Sequence, residues 1–162
     1  MKHLRRQSAF LVAGLLACFS LVSIGSRVAV AQGPSLSIEG ASYVITNVDS
    51  TGAFASRGVV TLHSDSTLSA IDSGQGGPTY YFSSQLGSWR VKEDGSVVGR
   101  TVDFDFSPDN ETARLDYTFK FEANGMISGT IVLTYFPQTA DPQGSGGTFG
   151  GTFTFTGSRI KP

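Results

Sequence analysis

The sequence predicts an all-β fold: a single antiparallel up-and-down barrel of about eight short strands, with a two-sheet β-sandwich as the alternative. Three observations predict it. Beyond residue 31 no stretch has helical periodicity, and short runs of Val, Ile, Thr, Phe and Tyr are parted by Gly, Asp, Asn and Pro. Asp94-Gly95 and Asn124-Gly125 each stand between alternating runs and supply the positive φ that a tight hairpin turn requires. Finally, the segment from Trp89 to Gly99 matches that from Phe119 to Gly129 at an offset of thirty, with a fainter relative around Asp65-Ser66. Duplication and a plain meander of even strand length both give this rhythm, and both give the same hairpins.

At the start of the chain, Lys2, Arg5 and Arg6 form a basic region, residues 9–25 an apolar run, and Ala29-Val30-Ala31 a small-x-small cleavage pattern. Together these read as a secretory signal peptide, so residues 1–31 are expected to be cleaved and residues 32–162 to form one domain, secreted or periplasmic and free of the membrane. The apolar run is too short, and too rich in Ser and Gly, for a transmembrane helix. Arg5-Arg6 also fits a twin-arginine signal, an alternative to the general export route. Leu15-Leu16-Ala17-Cys18 faintly matches a lipobox, but the chain stays apolar past Cys18, as the core of a cleaved leader does. Cleavage removes four of the 12 basic residues and none of the 13 acidic ones, leaving eight against 13 and a net charge of −5. A mildly acidic chain without a basic cluster argues against nucleic acid as partner. With the single Cys gone, His63 alone argues against a zinc site. No cofactor is expected.

Within the domain, a strand or bent pair is expected over 36–48, hairpins around residues 65, 95 and 125, and a closing strand over 148–160. If Asp94-Gly95 is a two-residue turn, Val91 faces Val98 and Trp89 faces Arg100. The interior face then carries Trp89, Val91, Val98, Arg100, Val102, Phe104 and Phe106. The same construction at Asn124-Gly125 gathers Leu115, Tyr117, Phe119 and Phe121 with Ser128, Thr130, Val132, Thr134 and Phe136. Trp89, Arg100, Phe104, Tyr117, Phe119, Thr130 and Thr134 are therefore the candidate ligand-binding residues. Arg100 beside the only Trp suggests a cation–π contact, and a buried guanidinium needs a partner such as Glu39, water or a ligand anion. Alternatively Trp89 and Arg100 plug one end of the barrel and the aromatic stripe is simply core. On the opposite face, Ile127, Ile131, Leu133 and Tyr135 point outward, leaving one strand apolar on both sides; a terminal segment or a second subunit in a homo-oligomer is expected to cover it.

Signatures of catalysis are missing: there is no Gly-x-Ser-x-Gly, no His-Glu-x-x-His, no phosphate loop and no thiol nucleophile in the domain. His63 reads as a surface or turn residue. Asp103, Asp105, Asp116, Lys120 and Glu122 read as a solvated face, without the loop spacing of a calcium site. The glycine-rich tracts at 73–78 and 143–147 precede no helix, so they read as barrel-mouth loops. Asn110-Glu111-Thr112 fits a glycosylation sequon, which carries no meaning in the bacterial setting the leader suggests.

Gly87-Ser88-Trp89, a Trp–Arg pair and a meander of short strands resemble the calycin or lipocalin-like barrels, in which a Trp and an Arg close one end. Residues 87–136 also resemble the allene-oxide-cyclase-like barrels. The Gly-x-Trp here lies mid-chain rather than on the first strand, and no family residue carries over position by position. The resemblance implies a carrier of a small apolar molecule, with a cofactor-free cyclase or isomerase using Tyr117, Arg100 and a buried carboxylate as the first alternative. A non-catalytic envelope or surface protein is the second.

Overall fold

Tight turns of one kind set the topology. The computed structural model describes residues 40–75, 81–107 and 109–162; the expected leader, Glu39 and part of the first glycine-rich tract lie outside them. Nine strands are described: β1 (Ala41–Val48), β2 (Phe54–Leu62), β3 (Thr67–Asp72), β4 (Tyr81–Phe82), β5 (Gln85–Val91), β6 (Val97–Ser107), β7 (Glu111–Phe121), β8 (Met126–Pro137) and β9 (Thr148–Arg159). Eight of them pair antiparallel in the cycle β1-β2-β3-β5-β6-β7-β8-β9, and β1 returns to β9 from Tyr43↔Arg159 to Val48↔Thr154. That last pairing closes the barrel and excludes the sandwich. β4 lies outside the cycle, beside the far end of β6.

The hairpins differ from expectation by one residue. Lys92 N–H donates to the Ser96 carbonyl at 2.7 Å, Gly95 N–H donates to the Lys92 carbonyl at 2.9 Å, and Gly95 has φ of 80°. This is a three-residue loop, a turn followed by a left-handed residue that forms a bulge, rather than a two-residue turn. The pattern repeats at Glu122–Met126 with Gly125, and at His63–Thr67 with Ser66 in the left-handed position at φ of 68°. Asp65, Asp94 and Asn124 each accept the backbone N–H two residues on, at 2.9–3.0 Å, which locks the loop. A serine gains nothing from that backbone conformation and pays a steric penalty for its Cβ, so Ser66→Gly is expected to stabilise the protein by about 0.5–1 kcal/mol. A denaturant midpoint that stays put or falls contradicts this.

One extra turn residue turns the following strand over. Val91 pairs with Val97, Trp89 with Gly99, and Phe121 with Ile127. Accordingly Val97, Gly99, Thr101, Asp103 and Asp105 of β6 face inward, while Arg100, Phe104 and Phe106 face outward and both phenylalanines are half exposed. Val98 and Val102, also expected inside, share this outer face; Val91, at the end of its strand, is half exposed. On β8, Ile127, Gly129, Ile131, Leu133 and Tyr135 face inward, and Ser128, Thr130, Val132, Thr134 and Phe136 face outward. The apolar face that the sequence reading turned outward, Ile127, Ile131, Leu133 and Tyr135, thus lines the barrel's own interior. Phe136, though outward, is buried beneath the 138–147 connection, where the Arg114 guanidinium lies 4.9 Å from its ring centroid and donates to the carbonyls of Pro142 and Gly144.

The two ends of the barrel are unlike. The tight hairpins after β2, β5 and β7 cap one end, which is filled by Leu62, Leu68, Trp89, Val97, Phe119 and Ile127. Rings face glycines there: Trp89 is opposite Gly99, and Phe119 and Phe155 flank Gly129. A Cβ on Gly129 would overlap the Thr118 carbonyl oxygen and stand 2.6 Å from Phe155 Cζ, so only a glycine admits this aromatic layer. Phe119 and Phe155 meet edge to face at 5.6 Å. The connections after β1, β3, β6 and β8 leave the barrel at the other end, where, among the described residues, a cavity opens between the strands.

Candidate functional site at the open end of the barrel

The open end holds a cavity of about 390 Å3 with two chemically distinct walls. β7, β8 and β9 supply the apolar one, through Ala113, Leu115, Ile131, Leu133 and Phe153. β1, β3, β5 and β6, with the connection after β3, supply the polar one, through Asn47, Asp72, Gln75, Gln85 and Asp103. Alternation puts the four on strands inside, since each lies two or four residues along its strand from an inward-facing residue: Asn47 follows Ile45, Asp72 follows Ala70, Asp103 follows Thr101, and Gln85 precedes Trp89.

The polar wall is tied together by hydrogen bonds. Asn47 Nδ2 donates to Asp72 Oδ2 at 2.9 Å, and Ser56 Oγ donates to the same oxygen at 2.9 Å. Gln75 bridges the wall: its Oε1 accepts from Asp72 N–H at 2.8 Å, and its Nε2 donates to the Ser83 carbonyl at 2.6 Å and to Asp103 Oδ2 at 3.3 Å. Deeper in, Gln85 Oε1 accepts from Tyr117 OH at 2.6 Å and from Thr101 Oγ1 at 3.2 Å. Among the described residues no donor reaches Asn47 Oδ1 or Asp103 Oδ1, and both side chains are only 4% exposed.

Electrostatics single out Asp103. Burial pushes its carboxyl up to about 7, the Gln75 hydrogen bond opposes the shift, and the neighbouring Asp105 and Asp72 add to it. Burial likewise raises the Tyr117 hydroxyl above its ordinary value, so it remains a neutral donor.

Of the seven residues singled out from sequence, Tyr117 alone lines this cavity. Trp89 plugs the closed end and donates from Nε1 to the His63 carbonyl at 3.0 Å; Phe119 packs in the same core. Arg100 faces outward and pairs with Asp116, 2.6 Å from its Oδ1, rather than stacking on Trp89. Phe104 is on the outer face, Thr130 hydrogen-bonds Thr118 there at 2.5 Å, and Thr134 lies under the 138–147 connection. Four of the seven, Trp89, Arg100, Tyr117 and Thr130, nevertheless line a second depression of about 500 Å3. His63, at its hairpin, is 3.0 Å from Ser69 Oγ through Nε2.

Sequence reasoning missed Asn47, Asp72, Gln75, Gln85 and Asp103. A usable signal did exist for Asp103 and Asp105, because the run Asp103-Phe104-Asp105-Phe106 forces either acids or rings inward. Among the described residues, no group of three His, Cys, Asp or Glu side chains converges as a metal site would require. The shared feature with the barrels that the sequence resembles is the closed eight-stranded architecture itself. Neither a protein-family model, nor a curated protein, nor a solved structure matches the chain.

Proposed function

We propose that this protein binds a small amphiphilic molecule in the open end of its barrel. The apolar body lies against Leu115, Ile131, Leu133 and Phe153, and a hydrogen-bond-donating head meets Asn47 and Asp103. The observation that carries this reading is a single cavity of about 390 Å3 in which an apolar wall faces a polar one bearing Asn47, Asp72, Gln75 and Asp103. If the leader is cleaved as the sequence suggests, the binding takes place outside the cytoplasm. A second reading, cofactor-free isomerisation or cyclisation, is favoured by Asp103: a carboxyl poised near 7 in a largely apolar cavity suits a general base. Tyr117 is its remaining partner among the residues first assigned to that chemistry, since Arg100 lies outside.

Titration with N-phenyl-1-naphthylamine, a neutral probe with one N–H donor, tests the binding. Saturable fluorescence enhancement is expected with the native protein. Leu133→Trp, which fills the apolar wall, is expected to weaken binding about tenfold or more, as loss of a hydrophobic subsite of this size does. Equal binding by the variant, or none by the native protein, overturns the proposal.

A further inference from the structure

We propose that the open end of the barrel docks on a lipid surface of zwitterionic headgroups, with the mouth of the cavity turned toward the membrane. The docking is separate from ligand binding, since none of the five rings that carry it lines the cavity.

The exposed aromatic side chains of the described residues are Phe54, Tyr81, Phe104, Phe106 and Phe149, each 51–67% exposed, and all five lie toward the open end. Trp89 and Phe119, at the closed end, are buried instead. Phe54 begins β2 and Phe149 lies at the start of β9, the two strands that flank β1. Phe104 and Phe106 lie near the end of β6, on the opposite side of the eight-membered cycle, with Tyr81 of β4 alongside. Rings on opposite sides of one end of a cylinder cannot share a partner segment that follows a single strand. A surface broader than the barrel reaches them together, and exposed apolar groups so placed sink into the headgroup and acyl boundary of a bilayer.

Charge selects the kind of lipid. At this end Asp109 and Asp141 are exposed, and Asp49 and Glu111 are half-buried. The three lysines of the described residues, Lys92, Lys120 and Lys161, lie at the closed end among acids of their own. Arg57 and Arg114, the basic groups nearest the rim, sit back from it on β2 and β7, and Arg114 is paired with Asp116. An anionic surface would repel this rim, whereas choline and ethanolamine ammonium groups suit both its carboxylates and its ring faces. Between the two ends the barrel turns Arg100, Asp116, Thr118, Thr130 and Thr154 outward, where a spanning barrel needs an apolar band. The contact is therefore peripheral. It revises the expectation of a domain free of the membrane.

Vesicles of phosphatidylcholine and phosphatidylethanolamine, with and without brominated acyl chains, test the inference. In Phe54→Trp the introduced indole is expected to shift its emission to the blue on adding vesicles, and the brominated chains should remove about a third or more of the total emission. Trp89 of the native protein, buried at the far end, should be left unquenched. Phe54→Ser combined with Phe149→Ser is expected to bind the vesicles about tenfold more weakly or worse, the scale of two partly buried rings, with its urea midpoint unchanged because both side chains are already exposed. Replacing half of the phosphatidylcholine by phosphatidylglycerol should weaken binding. Native protein that ignores the vesicles, a double variant that binds as tightly, tighter binding to phosphatidylglycerol, or quenching of native Trp89 overturns the proposal. So does light scattering that shows native dimers which the double variant lacks, because the rim would then join two copies of the chain. The naphthylamine titration, run without lipid, decides the cavity reading separately.

Discussion

Truncating Trp89 to alanine is expected to lower the unfolding free energy by about 4 kcal/mol, the range found for emptying a buried aromatic site. Trp89 is 6% exposed and closes the packed end of the barrel against Leu68, Val97 and Phe119. Its neighbour across the β5–β6 pairing is Gly99, where a Cβ would stand 2.6 Å from Leu68 Cδ2. The space left by the indole is therefore bordered by a residue with no side chain to move into it, and the cavity persists. Trp89→Phe separates packing from polarity: it keeps a ring but leaves the His63 carbonyl without its indole donor, and it should cost about 1–2 kcal/mol. Urea unfolding followed by circular dichroism gives both numbers. A loss below about 1 kcal/mol for Trp89→Ala would mean that this end is not the seat of stability.

Asp103→Asn should act in the opposite sense and only at high pH. The folded carboxyl titrates at about 7 against an ordinary value of 3.8, so between those values the native state holds a proton that the unfolded chain has released. Stability must then fall as pH rises through this window, by about 4 kcal/mol in total on the linkage relation. The asparagine variant carries no such charge, and it should exceed the native protein by about 2–4 kcal/mol near pH 8 and by almost nothing near pH 4. Asp49, Asp65 and Asp94 run the other way. Turn hydrogen bonds lower their pKa values, so their contributions are lost as the solution becomes more acidic than the ordinary carboxylate range. The two windows do not overlap, which lets a pH series of denaturant midpoints isolate Asp103. A variant whose advantage is the same at both pH values would show that the Asp103 carboxyl is solvated.

The strand count, the antiparallel order and the closed barrel were legible because turn residues and alternation determine them locally. Which face of β6 and β8 points inward was not. Asp-Gly and Asn-Gly serve a two-residue turn and a three-residue bulged loop equally, since each needs one left-handed glycine, and the choice between them reverses every side chain that follows. On β8 the mistake left a trace. Ile127, Ile131 and Leu133 against Val132 and Phe136 make both faces apolar, and the outward one seemed to want a partner. On β6 the usual rule of burial chose Phe104 and Phe106 over Asp103 and Asp105, and the fold does the reverse. Sites lined by buried polar groups are where such a rule fails, and Asp103 lines the cavity. The contributions of Asn47, Asp72 and Gln75 were illegible for another reason: they come together only when β1 and β3 lie two strands apart around a closed cylinder.

The pairing of β1 with β9 has a consequence for how the chain is made. Tyr43 waits for Arg159, so the ring of backbone bonds cannot be completed until β9 has been made. Hairpins such as β7–β8 can form as they emerge, but β1 keeps one unbonded edge until β9 arrives, and contacts so distant in sequence close slowly. A nascent chain that remains an open ribbon until then is exposed to edge-to-edge association with its neighbours.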